Sequence, residues 1–137
     1  MKKILYVCTH NAGRSQMAEA FTNRLGQGIV TAESAGTQPG TALNPVVVEA
    51  MREIGYDMSG HHPKLMTDEM VDSADRIITM GCGVSLDDAE GAVCPVFLVP
   101  SEDWALDDPH GRPIERVRPI RDEIKSRVEA LIAEMNH

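Results

Sequence analysis

The chain has 137 residues, 42% of them hydrophobic, with a net charge of −8 and a pI near 5.0. That length suits one domain, residues 1–137, able to bury a single sizeable core. The acidic balance argues against a nucleic-acid surface, which needs clustered Lys and Arg that neighbouring acids do not cancel. The opening apolar run breaks at Thr9-His10-Asn11, too early for a signal-peptide core. No stretch approaches the roughly 18 apolar residues of a membrane span, so the expectation is a soluble, cytoplasmic monomer with no membrane partner.

In chain order, Lys3–Val7 reads as a short buried strand. Met17, Ala18, Phe21 and Leu25 mark a helix over Ser15–Leu25, ended by Gly26 and Gly28. A second strand is expected at Ile29–Ala35, closed by the turn-rich run from Gly36 to Gly40. Asn44-Pro45 then caps a helix through Val47, Val48, Met51 and Ile54, stopped by Gly55. Met58–Pro63 reads as a polar loop that includes His61 and His62. Thr67 caps a short helix to about Ser73, and Arg76–Met80 and Val96–Val99 read as the third and fourth strands. Gly83–Val93, rich in Gly, Asp and Ala, reads as a mobile loop. From Pro113 to Met135 the apolar groups recur at three- and four-residue spacings, a long C-terminal helix. Strands alternating with helices imply an α/β fold: a four-stranded parallel sheet with helices on both faces, a flavodoxin-like plan.

The main chemical signal sits between the first strand and first helix. In Cys8-Thr9-His10-Asn11-Ala12-Gly13-Arg14-Ser15, a cysteine is followed by five residues and then Arg-Ser. The loop amides of Thr9, His10, Asn11, Ala12 and Gly13, together with the helix N-terminus, form an anion cradle. Arg14 closes it with a planar fork matched to a tetrahedral oxyanion. The same positive field favours the thiolate of Cys8, the form that attacks. Ser15 is placed to donate a hydrogen bond to that sulfur. Gly13 lets the backbone come close, and Asn11 tolerates the left-handed conformation that a sharp bend needs.

The run from Val7 to Glu19, Val-Cys-Thr-His-Asn-Ala-Gly-Arg-Ser-Gln-Met-Ala-Glu, resembles the low-molecular-weight tyrosine phosphatases, and its Arg-Ser-Gln-Met-Ala-Glu ending looks most like their arsenate reductase branch. The resemblance continues through Ser34-Ala35-Gly36, Asn44-Pro45, Ala74-Asp75 and Asp108-Pro109, nearly the whole chain. It implies the low-molecular-weight phosphatase fold and a covalent Cys8 adduct. Departure from that adduct needs a general acid, a role the resemblance gives to Asp108, while Trp104 packs beneath the Asp-Pro loop. Phosphatase chemistry needs one thiol, whereas reducing arsenate to arsenite takes two electrons, and this chain has three cysteines. By resemblance, Cys82 attacks the Cys8 adduct and Cys94 takes up the disulfide and presents it at the surface. Eleven residues separate those two cysteines, more than is usual in the family. Thioredoxin is the favoured reductant, with glutaredoxin and mycothiol systems as alternatives, and no cofactor enters.

Other readings fare worse. A structural zinc site would need spaced ligands beyond the His61-His62 pair, so no metal is expected. A tyrosine phosphatase using Cys8, Arg14 and Asp108 needs aromatic walls for a phenyl ring, and aromatics are only 4% of the chain, with His110-Gly111 after the Asp-Pro. A thiol-based arsenic sensor would carry a basic output helix. In the C-terminal helix Arg116, Arg118, Arg121, Lys125 and Arg127 are interleaved with acids, which reads as a solvated face. Potassium-binding members of the family hold a cation with residues corresponding to Asn11, Glu19 and Ser34 and with an aspartate aligned to Lys64. A lysine there is expected to pair with Glu19 in the cation's stead.

Overall fold

The computed structural model of the chain describes residues 2–8, 10–80, 101–104, 106, 109 and 111–136. Its sheet is wholly parallel. The central strand β1 (Lys2–Cys8) lies between β2 (Val30–Gly36) and β3 (Arg76–Thr79), and β3 carries the short edge strand β4 (Ser101–Asp103), giving the order β2-β1-β3-β4. The strand expected at Val96–Val99 lies outside the described residues, as does the Gly83–Val93 loop. The segment that pairs with β3 is polar Ser101-Glu102-Asp103, which carries no apolar alternation to announce a strand.

Alternation along β1 sends its side chains to two cores. Ile4, Tyr6 and Cys8 join the larger one, under helices α1 (Arg14–Leu25), α2 (Pro45–Arg52) and α4 (Ile114–Met135). Leu5 and Val7 face the other side, where Ile77 and Ala74 meet Met70 and Val71 of α3 (Asp68–Ser73). Helices therefore cover both faces, as the buried apolar run of a parallel strand requires. Trp104 packs in the larger core, its ring centroid 5.7 Å from that of Tyr6.

Helix ends follow local chemistry. Asn44 Oδ1 accepts the Val46 N–H at 2.9 Å with Pro45 in the first turn, and Thr67 Oγ1 accepts the Met70 N–H at 3.2 Å. The second helix ends at Arg52, two residues before the expected Ile54, and the chain turns at Gly55 with φ 86°. In α4 the buried stripe of Val117, Ile120, Ile124, Val128, Leu131, Ile132 and Met135 follows the spacing read from sequence. Its arginines do not all lie on a solvated face. Arg121 is only 8% exposed and donates to the Ala50 carbonyl and to Glu53, while Arg118 grips both oxygens of Glu53. Those bonds tie α4 to α2, and such long-range pairing is invisible in a charge pattern that reads only neighbours along one helix. Among the described residues no helix is long and apolar enough to cross a membrane.

Candidate active site

The carboxyl end of β1 delivers Cys8 to the N-terminus of α1, the place where open parallel sheets form their ligand crevices. Asn11 takes φ 53°, and this left-handed residue folds the loop back under the sulfur. The Asn11 N–H donates to Cys8 Sγ at 3.1 Å and Ser15 Oγ stands 2.8 Å from the same atom. Both interactions are sheltered: Cys8 is 9% exposed, and Asn11 and Ser15 are fully buried. No side chain caps the start of α1, which leaves its first amides and the positive end of the helix dipole to the loop side. The helix α2 is bound to the same loop, since the Asn44 N–H donates to the Ala12 carbonyl at 2.9 Å.

Above the sulfur opens a cavity of about 910 Å³ lined by Cys8, His10, Ala12, Gly13 and Arg14 from the loop and by Leu43, Val46, Pro109 and Arg112 among others. None of the described residues lining it is Phe, Tyr or Trp. Arg14 Nη1 donates to the Leu106 carbonyl at 2.8 Å, which anchors one edge of the guanidinium. A guanidinium carries five N–H donors in one plane, a shape matched to a tetrahedral oxyanion. Gly13 makes room for a neighbour: a Cβ there would lie 3.0 Å from Pro109 Cγ, so the glycine lets Pro109 approach the cradle.

Behind the loop lies a buried acid. Glu19, 8% exposed, accepts from Ser34 Oγ at 3.0 Å, and its carboxylate oxygens lie 3.5 Å from Lys64 Nζ and 3.4 Å from His61 Nδ1. Burial alone would raise its pKa, but the hydrogen bond from His61, the Lys64 charge and the Ser34 hydroxyl together hold the carboxyl below its ordinary value. Lys64 also ties its backbone to the loop, its N–H donating to Asn11 Oδ1 at 2.9 Å.

With this geometry in view, the chain can be compared with known proteins. The sequence profile of the family described as low molecular weight phosphotyrosine protein phosphatase matches residues 3–137. The chain belongs to that family. It is 38% identical over 137 residues to the glutaredoxin arsenate reductase of Synechocystis sp., an alignment covering 99% of this chain and 100% of that protein. A solved structure of an arsenate reductase in the phosphate binding state is similar with TM-score 0.81 and 37% identity, over 98% of this chain and 99% of that one. The thioredoxin-dependent arsenate reductase of Corynebacterium glutamicum is similar with TM-score 0.78 and 32% identity, over 98% of this chain and 62% of that one.

In this member of the low-molecular-weight phosphatase family, Cys8, His10, Ala12, Gly13 and Arg14 converge on one cavity. Asn11 is fully buried and turns its backbone N–H to the sulfur. Thr9, Cys82, Cys94 and Asp108 lie outside the described residues. The sequence reading missed two residues. His61, read as part of a polar loop, meets both Gln16 and Glu19, and Gln16 is fully buried with bonds to Asn11. Forty-five residues separate His61 from Gln16, so no local pattern could join them.

Proposed function

We propose that this chain is an arsenate reductase. Arsenate is held by the loop amides and the Arg14 fork, and the Cys8 thiolate attacks arsenic(V) while Asp108 protonates the departing oxygen, which leaves as water. Cys82 then attacks the sulfur of the adduct. The Cys8–Cys82 disulfide forms, the two electrons of the broken sulfur–arsenic bond stay on arsenic, and arsenite leaves. Cys94 attacks Cys82, which frees Cys8 and leaves a Cys82–Cys94 disulfide for an external dithiol to reduce. The observation that carries the reading is the cavity over Cys8. Its cradle suits a tetrahedral oxyanion, while the described lining residues include no Phe, Tyr or Trp to wall a phenyl ring. The relatives named as arsenate reductases, one glutaredoxin-type and one thioredoxin-dependent, support it.

The protein acts, in this reading, as a single-domain cytoplasmic monomer without cofactor or metal, with thioredoxin as its first partner. A coupled assay offering arsenate with thioredoxin, glutaredoxin or a mycothiol system tests it, with steady arsenite formation and fastest turnover from thioredoxin as the expected result. Stoichiometric arsenite capture without turnover would make the chain a sensor. Aryl phosphate hydrolysis with no arsenite from any reductant would make it a phosphatase.

We further infer that no potassium ion is needed beside the loop. The residues present do not fit one, because Lys64 Nζ already stands 3.5 Å from the Glu19 carboxylate as a fixed cation. Lys64→Met should cost about 1–2 kcal/mol at pH 7, less than breaking a fully buried pair because 30% of the Lys64 side chain is exposed. The folded Glu19 carboxyl titrates below its ordinary value of 4.5, so the pair's contribution is complete above that pH and fades as pH falls through the lower folded value. Thermal melts of wild type in matched potassium and sodium salts should coincide. A potassium-specific rise in melting temperature would contradict the assignment.

A further inference from the structure

Three helix starts meet at the cavity over Cys8. Its lining takes in Gly13 and Arg14 at the beginning of α1, Asn44 and Pro45 at that of α2, and Arg112 and Pro113 immediately before α4. Each helix turns its positive end toward the space between them, and neither α1 nor α4 has a side-chain cap. Among the described lining residues none is Asp or Glu. A chain of net charge −8 repels an oxyanion at long range, so delivery to Cys8 depends on a locally positive approach. Helix ends act only over their first turn, whereas a full side-chain charge reaches farther.

Two guanidinium groups lie on this wall. Arg14 belongs to the loop that holds the anion, whereas Arg112 is exposed and lies outside that loop. The backbone fixes its place: the Arg112 N–H donates to the Pro109 carbonyl at 3.1 Å across a turn that passes through left-handed Gly111. The turn is held to the cradle in its own right, since Pro109 lies close against Gly13 and its carbonyl accepts from Asn44 Nδ2 at 3.5 Å. The geometry points to Arg112 as the steering residue for the incoming oxyanion: its charge stands on the wall of the Cys8 cavity, outside the cradle, and draws an anion toward the uncapped start of α1, where Arg14 takes it over. A charge acts through its field, so steering does not require the guanidinium to be free of other partners. The proposed acid makes the need greater, because Asp108 directly precedes Pro109 and a carboxyl group in that role, while ionised, repels the substrate.

This inference rests on the proposed reading of Cys8 as the nucleophile of an oxyanion site, but its test needs no arsenate turnover, so the two can fail separately. The reduced full-length protein is alkylated with iodoacetate, an anion, and in parallel with neutral iodoacetamide, and the Cys8 peptide is quantified by mass spectrometry at low and at high salt. Dividing the two rates cancels any change in the reactivity of the sulfur itself. Arg112→Gln should lower the iodoacetate-to-iodoacetamide ratio by about threefold at low salt, and the gap should close near 1 M sodium chloride, where the Debye length is about 3 Å. The concentration of inorganic phosphate that halves iodoacetamide labelling at low salt should rise by a similar factor. Arg112→Lys should keep the wild-type ratio, because a field depends on the charge and not on the planar fork. Circular dichroism checks folding, and Arg112→Met replaces the glutamine variant if that protein does not fold. A wild-type ratio in the uncharged variant at low salt overturns the proposal, as does a gap that persists undiminished at high salt or an Arg112→Lys ratio as low as the uncharged variant's.

Discussion

Cys8→Ser is expected to lower arsenite formation by at least about a thousandfold and to remove any aryl phosphate hydrolysis with it, since both begin with the same sulfur. A serine hydroxyl occupies the space but is not ionised at neutral pH, and the two donors now aimed at the sulfur, the Asn11 N–H and Ser15 Oγ, are suited to an anion. Steady-state arsenite production and hydrolysis of an artificial aryl phosphate measure the two activities on one preparation. Turnover near wild type would remove Cys8 from the mechanism. Arg14→Lys should cost about a hundredfold in the same assays, although the charge is kept. The guanidinium is a planar fork that donates to the Leu106 carbonyl, whereas an ammonium is a single point of charge that cannot reproduce a two-pronged contact.

The second large effect separates the nucleophile from the relay. Cys82→Ser or Cys94→Ser should abolish catalytic arsenate reduction while sparing slow aryl phosphate hydrolysis, because hydrolysis needs water and one thiol whereas reduction needs two electrons from paired sulfurs. Peptide mapping of oxidised wild-type protein should find Cys82 joined to Cys94. A Cys94 that remains free after turnover would rule out its role as the third thiol and point to a small thiol resolving the adduct. The eleven residues between the two cysteines make this measurement decisive for the relay, since a longer loop changes how often its ends meet.

Much of this was legible in the primary structure because it is local. The short apolar run of β1, the i, i+3, i+4 stripe of α4, the Asn44-Pro45 and Thr67 caps and the left-handed Asn11 each depend on residues within a turn or two of one another. The Cys8–Ser15 contact was readable for the same reason, since loop and helix start are contiguous. The edge strand was not, because Ser101–Asp103 is placed by its pairing with β3 and has no hydrophobic pattern of its own. Arg121 looked like one charge on a solvated helix until α2 brought Glu53 and the Ala50 carbonyl against it. The site divides along the same line. A cysteine, an arginine and a helix N-terminus specify an anion cradle from sequence, and the family resemblance set Lys64 against Glu19, while the contacts of His61 with Gln16 and Glu19 come from a loop 45 residues beyond Gln16. Such contacts arise when packing buries polar groups that must then find partners across the fold, and the partner is chosen by proximity in space, which no spacing along the chain encodes.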